Sequence, residues 1–169
     1  MATDHAGASR QGHPSGIRLL TDLGSLFELR HDYEQRGYTV RWIRGRKART
    51  TRSLFDEFAA ALQFPDYFGE NWDAFNDCLT DLEWLRTDRG YVLVITEPDA
   101  VLAAERAKTL KTFVEILTDA VQYFGENPVH SWQGDMRPLE FHVLLIAGKA
   151  NPSAILRRWQ RAGVVVADG

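Results

Sequence analysis

The chain has 169 residues, of which 44% are hydrophobic and 25% charged, a balance typical of one globular domain with a buried core. Its single cysteine, Cys78, excludes an intrachain disulfide, and no run of about 18 apolar residues predicts a membrane-spanning helix. A net charge of −3 gives no overall indication of binding to nucleic acid or to an anionic membrane. Because the first residues also show no apolar signal segment, we expect a soluble, cytoplasmic protein. The sequence resembles neither a phosphate-binding glycine loop nor a metal-binding Cys/His cluster, so we expect no cofactor.

The first third of the chain changes from a polar leader to regular structure. Residues 1–15 are polar and rich in small side chains, so they are predicted to form a disordered leader. Apolar residues recur at helical spacing over about 21–36, which predicts an N-terminal helix. The alternating segment 38–44 then predicts a strand, and residues 50–62 return to helical spacing.

The rest of the chain predicts two more strands and further helices. Residues 91–95 are continuously apolar, as expected for a central strand that is buried on both faces. A helical pattern covers about 104–123, and residues 141–146 have the pattern of another strand. Asn151 and Pro152 suit the start of a C-terminal helix. This order predicts an α/β fold with a small three-stranded parallel sheet flanked by helices, with extra N-terminal and C-terminal helices.

The acidic residues are concentrated between Ser53 and Leu85, a segment without Lys, Arg or His. The acids of this segment are Asp56, Glu57, Asp66, Glu70, Asp73, Asp77, Asp81 and Glu83. Because the segment carries −8 and the whole chain −3, the rest of the chain carries +5. Such acids can simply solvate the surface or favour a helix N-terminus, so their positions must decide their role.

Residues 71–82 are predicted to form an amphipathic helix within the acidic segment. Successive helical residues are about 100° apart, so an apolar stripe is separated from an acidic face that carries Asp73, Asp77 and Asp81. Like charges four residues apart destabilise a helix by a few tenths of a kcal/mol per pair. A basic partner would relieve this repulsion, and the acidic face is therefore a candidate binding surface.

Residues 64–82 read FPDYFGENWDAFNDCLTDL and resemble the signature of the barstar-like family, which contains an intracellular inhibitor of the ribonuclease barnase. A less sharp resemblance covers the order of elements over about 38–146. It implies a three-stranded parallel sheet flanked by helices, in agreement with the prediction from the residue pattern. We therefore expect a disordered leader over 1–15, a barstar-like domain over 16–150 that includes the extra N-terminal helix, and a helical appendage over 151–169.

The resemblance implies a ribonuclease inhibitor and not an enzyme. In the family, a loop and the helix after it enter the cationic active site of the nuclease, and Asp77 matches the aspartate that takes the place of substrate phosphate. The partner-binding positions that the resemblance implies are Tyr67, Gly69, Asn71, Asp73, Asn76 and Asp77. Asn76 and Leu82 stand where barstar has tryptophans. The expected partner is thus a secreted or toxin-type ribonuclease that is related to barnase but different from it.

Other interpretations of the same residues lead to different functions. An enzyme would use Glu70, Asp73 and Asp77 as Mg²⁺ ligands or acid–base groups, but the acidic segment supplies no cationic side chain to hold a phosphate. An acidic interaction or immunity module would bind a basic partner that is not a nuclease. The basic residues from Arg41 to Arg52 would suit RNA, although arginines at the end of a strand are usually solvated. We expect no catalysis, no metal, no membrane association and no direct nucleic-acid binding.

Overall fold

The computed structural model describes residues 16–21, 25–130 and 134–165, and the predicted leader lies outside these residues. The strands of the described residues are β1 Gly16–Leu20, β2 Tyr38–Arg44, β3 Gly90–Thr96, β4 Val129–His130, β5 Met136–Arg137 and β6 Glu140–Ile146. The α-helices are α1 Leu26–Gln35, α2 Thr51–Leu62, α3 Trp72–Asp81, α4 Ala107–Glu126 and α5 Pro152–Arg161. A short 3-10 helix spans Gly45–Lys47. None of these helices is long and apolar enough to cross a membrane.

The main sheet is parallel and has four strands in the order β1-β6-β3-β2. The α/β class and the parallel, helix-flanked arrangement are confirmed, but the predicted count of three strands is wrong. β1 adds an edge strand, which pairs with β6 from Gly16 opposite His142 to Leu20 opposite Ile146. β4 and β5 form a separate antiparallel pair, which we call the hairpin.

Helices cover both faces of the main sheet. The helices α2, α3, α4 and α5 share one large core, in which Phe58, Phe113 and Trp159 are fully buried. α1 covers the opposite face, where the ring of Tyr33 lies 5.3 Å from that of Tyr38 in an edge-on arrangement. The interior strand β3 is buried from Gly90 onwards along nearly its whole length, as predicted for a central strand.

The C-terminal helix α5 packs into the main core. The indole N–H of Trp159 donates a hydrogen bond to the backbone oxygen of Pro98 at 3.1 Å, and Arg158 donates to the backbone oxygen of Val101 at 2.6 Å. Asn151 caps the helix, since its side chain accepts a hydrogen bond from the N–H of Ala154 at 3.2 Å. The bonds of Trp159 and Arg158 fix α5 to the segment after β3, and α5 also packs against α4, in the core that it shares with α3.

Candidate protein-binding surface

Helix α3 and the loop before it are joined through the side chain of Asn71. Its Oδ1 accepts a hydrogen bond from the N–H of Ala74 at 2.9 Å, and its Nδ2 donates to the backbone oxygen of Gly69 at 3.2 Å. A cap of this type stabilises a helix by about 1 kcal/mol. Asn71 therefore has a structural role in addition to the partner contact that was predicted for it.

The apolar side of α3 fixes how the helix is rotated about its axis. Phe75 and Leu79 are fully buried, and the ring of Phe75 lies 5.1 Å from that of Phe58 and 5.4 Å from that of Phe55. Leu82 ends the helix in a left-handed backbone conformation and is also fully buried. Because these side chains are locked in the core, the opposite side of α3 must face outward.

The outward side of α3 carries Asp73, Asp77 and Asp81, which are all exposed. They are spaced by four residues, so each is displaced by about 6 Å along the helix axis from the previous one and lies on nearly the same side. We call these three residues the acidic face. It presents a short row of negative charge that is held on a rigid element.

Among the residues that the structure describes, only one acid of the acidic segment is paired with a cation. That acid is Glu57: it is buried, and its two carboxylate oxygens each accept a hydrogen bond from Arg44 at 2.8 Å. Those bonds lower the pKa of Glu57 even though burial acts in the opposite direction. The other seven acids of the segment are exposed, and none of them forms a salt bridge with a described Lys, Arg or His.

The loop before α3 presents Tyr67 to solvent. The N–H of Phe68 donates to the backbone oxygen of Pro65 at 2.9 Å, and the ring of Phe68 packs edge-on against Phe64 and Phe55 at 5.0 and 5.6 Å. With Phe68 anchored inward, the neighbouring Tyr67 remains 76% exposed. Such exposure of a large aromatic ring is expected for a binding residue more than for a packing residue.

The remaining predicted positions, Gly69 and Asn76, flank this surface. Gly69 is exposed, and a Cβ atom there would lie 3.1 Å from Nδ2 of Asn71, so a larger residue would crowd the cap. Asn76 is half-buried beside the acidic face, and its Oδ1 is buried without a described hydrogen-bond partner. The six predicted positions thus lie on one loop and one helix, and all of them except the half-buried Asn76 are exposed.

The described parts of the terminal extensions leave this surface open. α1 packs on the other face of the sheet, against β2, and α5 packs against α4. Among the residues that the structure describes, no group of three or more His, Cys, Asp or Glu side chains is arranged to hold a metal ion. The arrangement is that of an α/β protein with an exposed acidic loop and helix.

The family follows from comparison with known proteins. The family model described as Barstar (barnase inhibitor) matches residues 38–144, which is more than half of the chain. The chain therefore belongs to the barstar family. The match begins at the first residue of β2 and ends within β6, so β1, α1 and α5 lie outside it. No curated protein matches the sequence.

The solved structures that match this chain include two of one protein. A structure of the ORC2 protein of Aeropyrum pernix with ADPNP and ADP has a TM-score of 0.54 and 11% sequence identity over 87% of this chain. The ADP form of that protein has a TM-score of 0.48 and 12% identity over 88% of this chain. The chain spans only 38% and 39% of those two chains. At 11% sequence identity, the similarity to the structure with ADPNP and ADP indicates a shared fold and carries no information about function.

Proposed function

We propose that this protein is a ribonuclease inhibitor, which acts in the cytoplasm by covering the basic active site of a microbial ribonuclease with the acidic face and the loop that carries Tyr67. A ribonuclease must gather cationic side chains to bind the phosphates of RNA. A rigid row of carboxylates is complementary to such a site and would steer the association of the two proteins. The partner is a secreted or toxin-type ribonuclease.

The observation that carries the proposal is the uncompensated charge on α3. Asp73 and Asp77 are exposed one turn apart, and no described cation of the chain pairs with either of them. Like charges at this spacing destabilise the helix, so the row is explained better by a cationic partner than by the stability of the protein itself. Family membership supports the same interpretation, since the family model is described as that of a barnase inhibitor.

The target differs from barnase in this proposal. Two positions where the resemblance led us to expect tryptophan hold Asn76, which is half-buried, and Leu82, which is fully buried. Neither residue supplies an exposed aromatic ring, and aromatic rings are common hot spots in protein interfaces. The same feature supports a second candidate function, an immunity-type module that binds a basic partner other than a nuclease.

The basic residues near β2 give less support to RNA binding. Arg44 is held by Glu57, and Arg46 pairs with Glu97 at 2.9 Å. Arg41 donates a hydrogen bond to the backbone oxygen of Val40 at 3.0 Å. Since these three guanidinium groups already have partners within the chain, they are less suited to neutralise RNA phosphates.

The test is an inhibition assay against barnase and a panel of other secreted microbial ribonucleases, with a fluorogenic RNA as substrate. We expect at least one enzyme of the panel to be inhibited, and more strongly than barnase. Asp77→Ala should weaken that inhibition by about 2 kcal/mol, or about 30-fold, because it removes a charge from the centre of the contact. Asp56→Ala is the matched control, since Asp56 is an exposed acid of the same segment on α2 and lies outside the predicted contacts.

Three outcomes would contradict parts of the proposal. Equal inhibition by the wild type and Asp77→Ala would mean that the acidic face is not the contact surface. Equal weakening by Asp77→Ala and Asp56→Ala would mean that only the overall negative charge matters. Failure to inhibit any ribonuclease, together with capture of a basic protein that lacks nuclease activity, would favour the immunity-type module instead.

A further inference from the structure

A groove of about 860 Å³ lies directly beside the acidic face. One wall is formed by the segment that follows α3 and contains Trp84. The other wall is formed by the end of α4 with Tyr123 and by the hairpin with Met136. Asp77 belongs to both the groove and the acidic face, so the two surfaces are continuous.

The floor and one wall of the groove are rigid. The hydroxyl of Tyr91 has one hydrogen, which is shared between the backbone oxygens of Leu85 at 2.9 Å and Leu82 at 3.2 Å. The ring of Tyr91 lies 5.4 Å from that of Phe124. On the wall, the indole N–H of Trp84 donates to the backbone oxygen of Leu62 at 2.8 Å. A pocket that is formed before binding has little ordering cost.

The opposite wall exposes apolar surface. Tyr123 is 41% exposed and Met136 is 56% exposed, which places both among the few large hydrophobic side chains that the described residues leave open. The ring of Tyr123 packs edge-on against Phe124 at 5.5 Å, so its position is fixed by the core. Apolar side chains around a rigid concave floor favour an apolar or aromatic group of a partner.

The rim of the groove is acidic. Asp77, Asp81 and Glu83 are exposed lining residues, against one basic lining residue, Arg86. The negative charge of the rim also acts on Tyr91 in the floor of the groove. Burial raises the pKa of Tyr91, the charges of Asp81 and Glu83 act in the same direction, and together they bring it to about 12. A group that enters the groove therefore meets apolar walls and, at the entrance, a negative potential.

We infer that the groove takes a large apolar or aromatic side chain of the partner that stands next to an arginine or lysine. The apolar side chain would fill the space between Trp84 and Met136, and the cation would meet Asp77 and Asp81. This inference rests on the proposed function, because the basic surface of a ribonuclease would supply the cation. It adds the hairpin and the end of α4 to the contact surface and makes them determinants of which target is bound.

The inference can be tested without a ribonuclease. The full-length protein is titrated with acetyl-Arg-Phe-amide and, as the charge control, acetyl-Glu-Phe-amide, while NMR follows the Met136 methyl and Trp84 indole signals. We expect the arginine peptide to shift both signals with a dissociation constant in the millimolar range, and the glutamate peptide to bind at least about tenfold more weakly. Equal binding of the two peptides, or no shift of these signals, would overturn the inference.

Two variants at one exposed position separate charge from apolar contact. Met136→Lys and Met136→Glu both remove the thioether, but only the lysine repels the cation of the arginine peptide. Met136→Lys should bind that peptide at least about tenfold more weakly than Met136→Glu at low salt. Equal affinities of the two variants would show that the cation of the bound peptide does not lie in the groove, which would overturn the inference.

The two proposals can fail separately. If a ribonuclease is inhibited and Asp77→Ala weakens the inhibition, while neither peptide binds, the groove inference alone is overturned. If the arginine peptide binds as expected but no ribonuclease is inhibited, the proposed function alone is overturned.

Discussion

Replacing Asp77 by asparagine should make the protein more stable while weakening its binding to a basic partner. The change keeps the shape of the side chain and removes one negative charge from the middle of α3. Asp77 lies four residues after Asp73 and four residues before Asp81, so it belongs to two like-charge pairs. Each such pair destabilises a helix by about 0.2–0.5 kcal/mol, and removing both should raise the free energy of unfolding by about 0.4–1 kcal/mol.

The assay is urea unfolding followed by tryptophan fluorescence, at low salt and in about 1 M NaCl. The gain in stability should shrink at high salt, where the Debye length falls from about 10 Å at 0.1 M to about 3 Å. Asp56→Asn is the matched control, because Asp56 lies four residues after Arg52 and the same substitution removes an attraction instead of a repulsion. A destabilised Asp77→Asn, or a gain that is equal at both salt concentrations, would refute the reasoning.

Substitutions at three further positions test the cap of α3 and the packing of the main sheet. Asn71→Ala removes the helix cap and should lower the free energy of unfolding by about 1 kcal/mol. Asn71→Asp keeps the hydrogen-bond acceptor and should lower it less. Equal losses for the two variants in urea titrations would contradict the capping role. Burial lowers the pKa of His142, although Glu140 acts in the opposite direction. The unfolded chain therefore binds a proton at this residue more readily than the folded chain does. The free energy of unfolding should thus fall as the pH drops below about 6.5. His142→Gln should flatten that decline, and an unchanged slope would contradict the assignment. Gly90→Ala should lower the free energy of unfolding by about 2 kcal/mol or more, because a Cβ atom there would lie 1.9 Å from the backbone oxygen of Glu140. A thermal unfolding midpoint equal to that of the wild type would disprove this.

The amphipathic helix could be predicted from the sequence because its signal is local. The spacing of Phe75, Leu79 and Leu82 determines one buried side, and the four-residue spacing of Asp73 and Asp77 puts those acids on the other side. Both features depend only on helical periodicity. The structure agrees with this prediction, since α3 covers Trp72–Asp81 with the apolar residues buried and the acids exposed.

β1 and the groove could not be predicted from the sequence, because both depend on contacts between residues that are far apart along the chain. β1 is five residues long and carries Arg18 at its centre, which hides the apolar pattern. That arginine is tolerated because its guanidinium donates a hydrogen bond to the hydroxyl of Tyr33 at 2.6 Å, a contact between residues that are separate in sequence. The groove likewise depends on the packing of Trp84, Tyr123 and Met136, which no periodicity connects.

The pairing of β1 with β6 has a consequence for how the chain reaches its native state. The first strand, Gly16–Leu20, pairs with the strand Glu140–Ile146, which lies more than a hundred residues later in the sequence. During synthesis β1 cannot pair until Glu140–Ile146 has emerged from the ribosome, and such long-range pairing is slow. A nascent chain that is released before residue 140 would leave both β1 and one side of β3 without a neighbour, as open edges on which chains can aggregate.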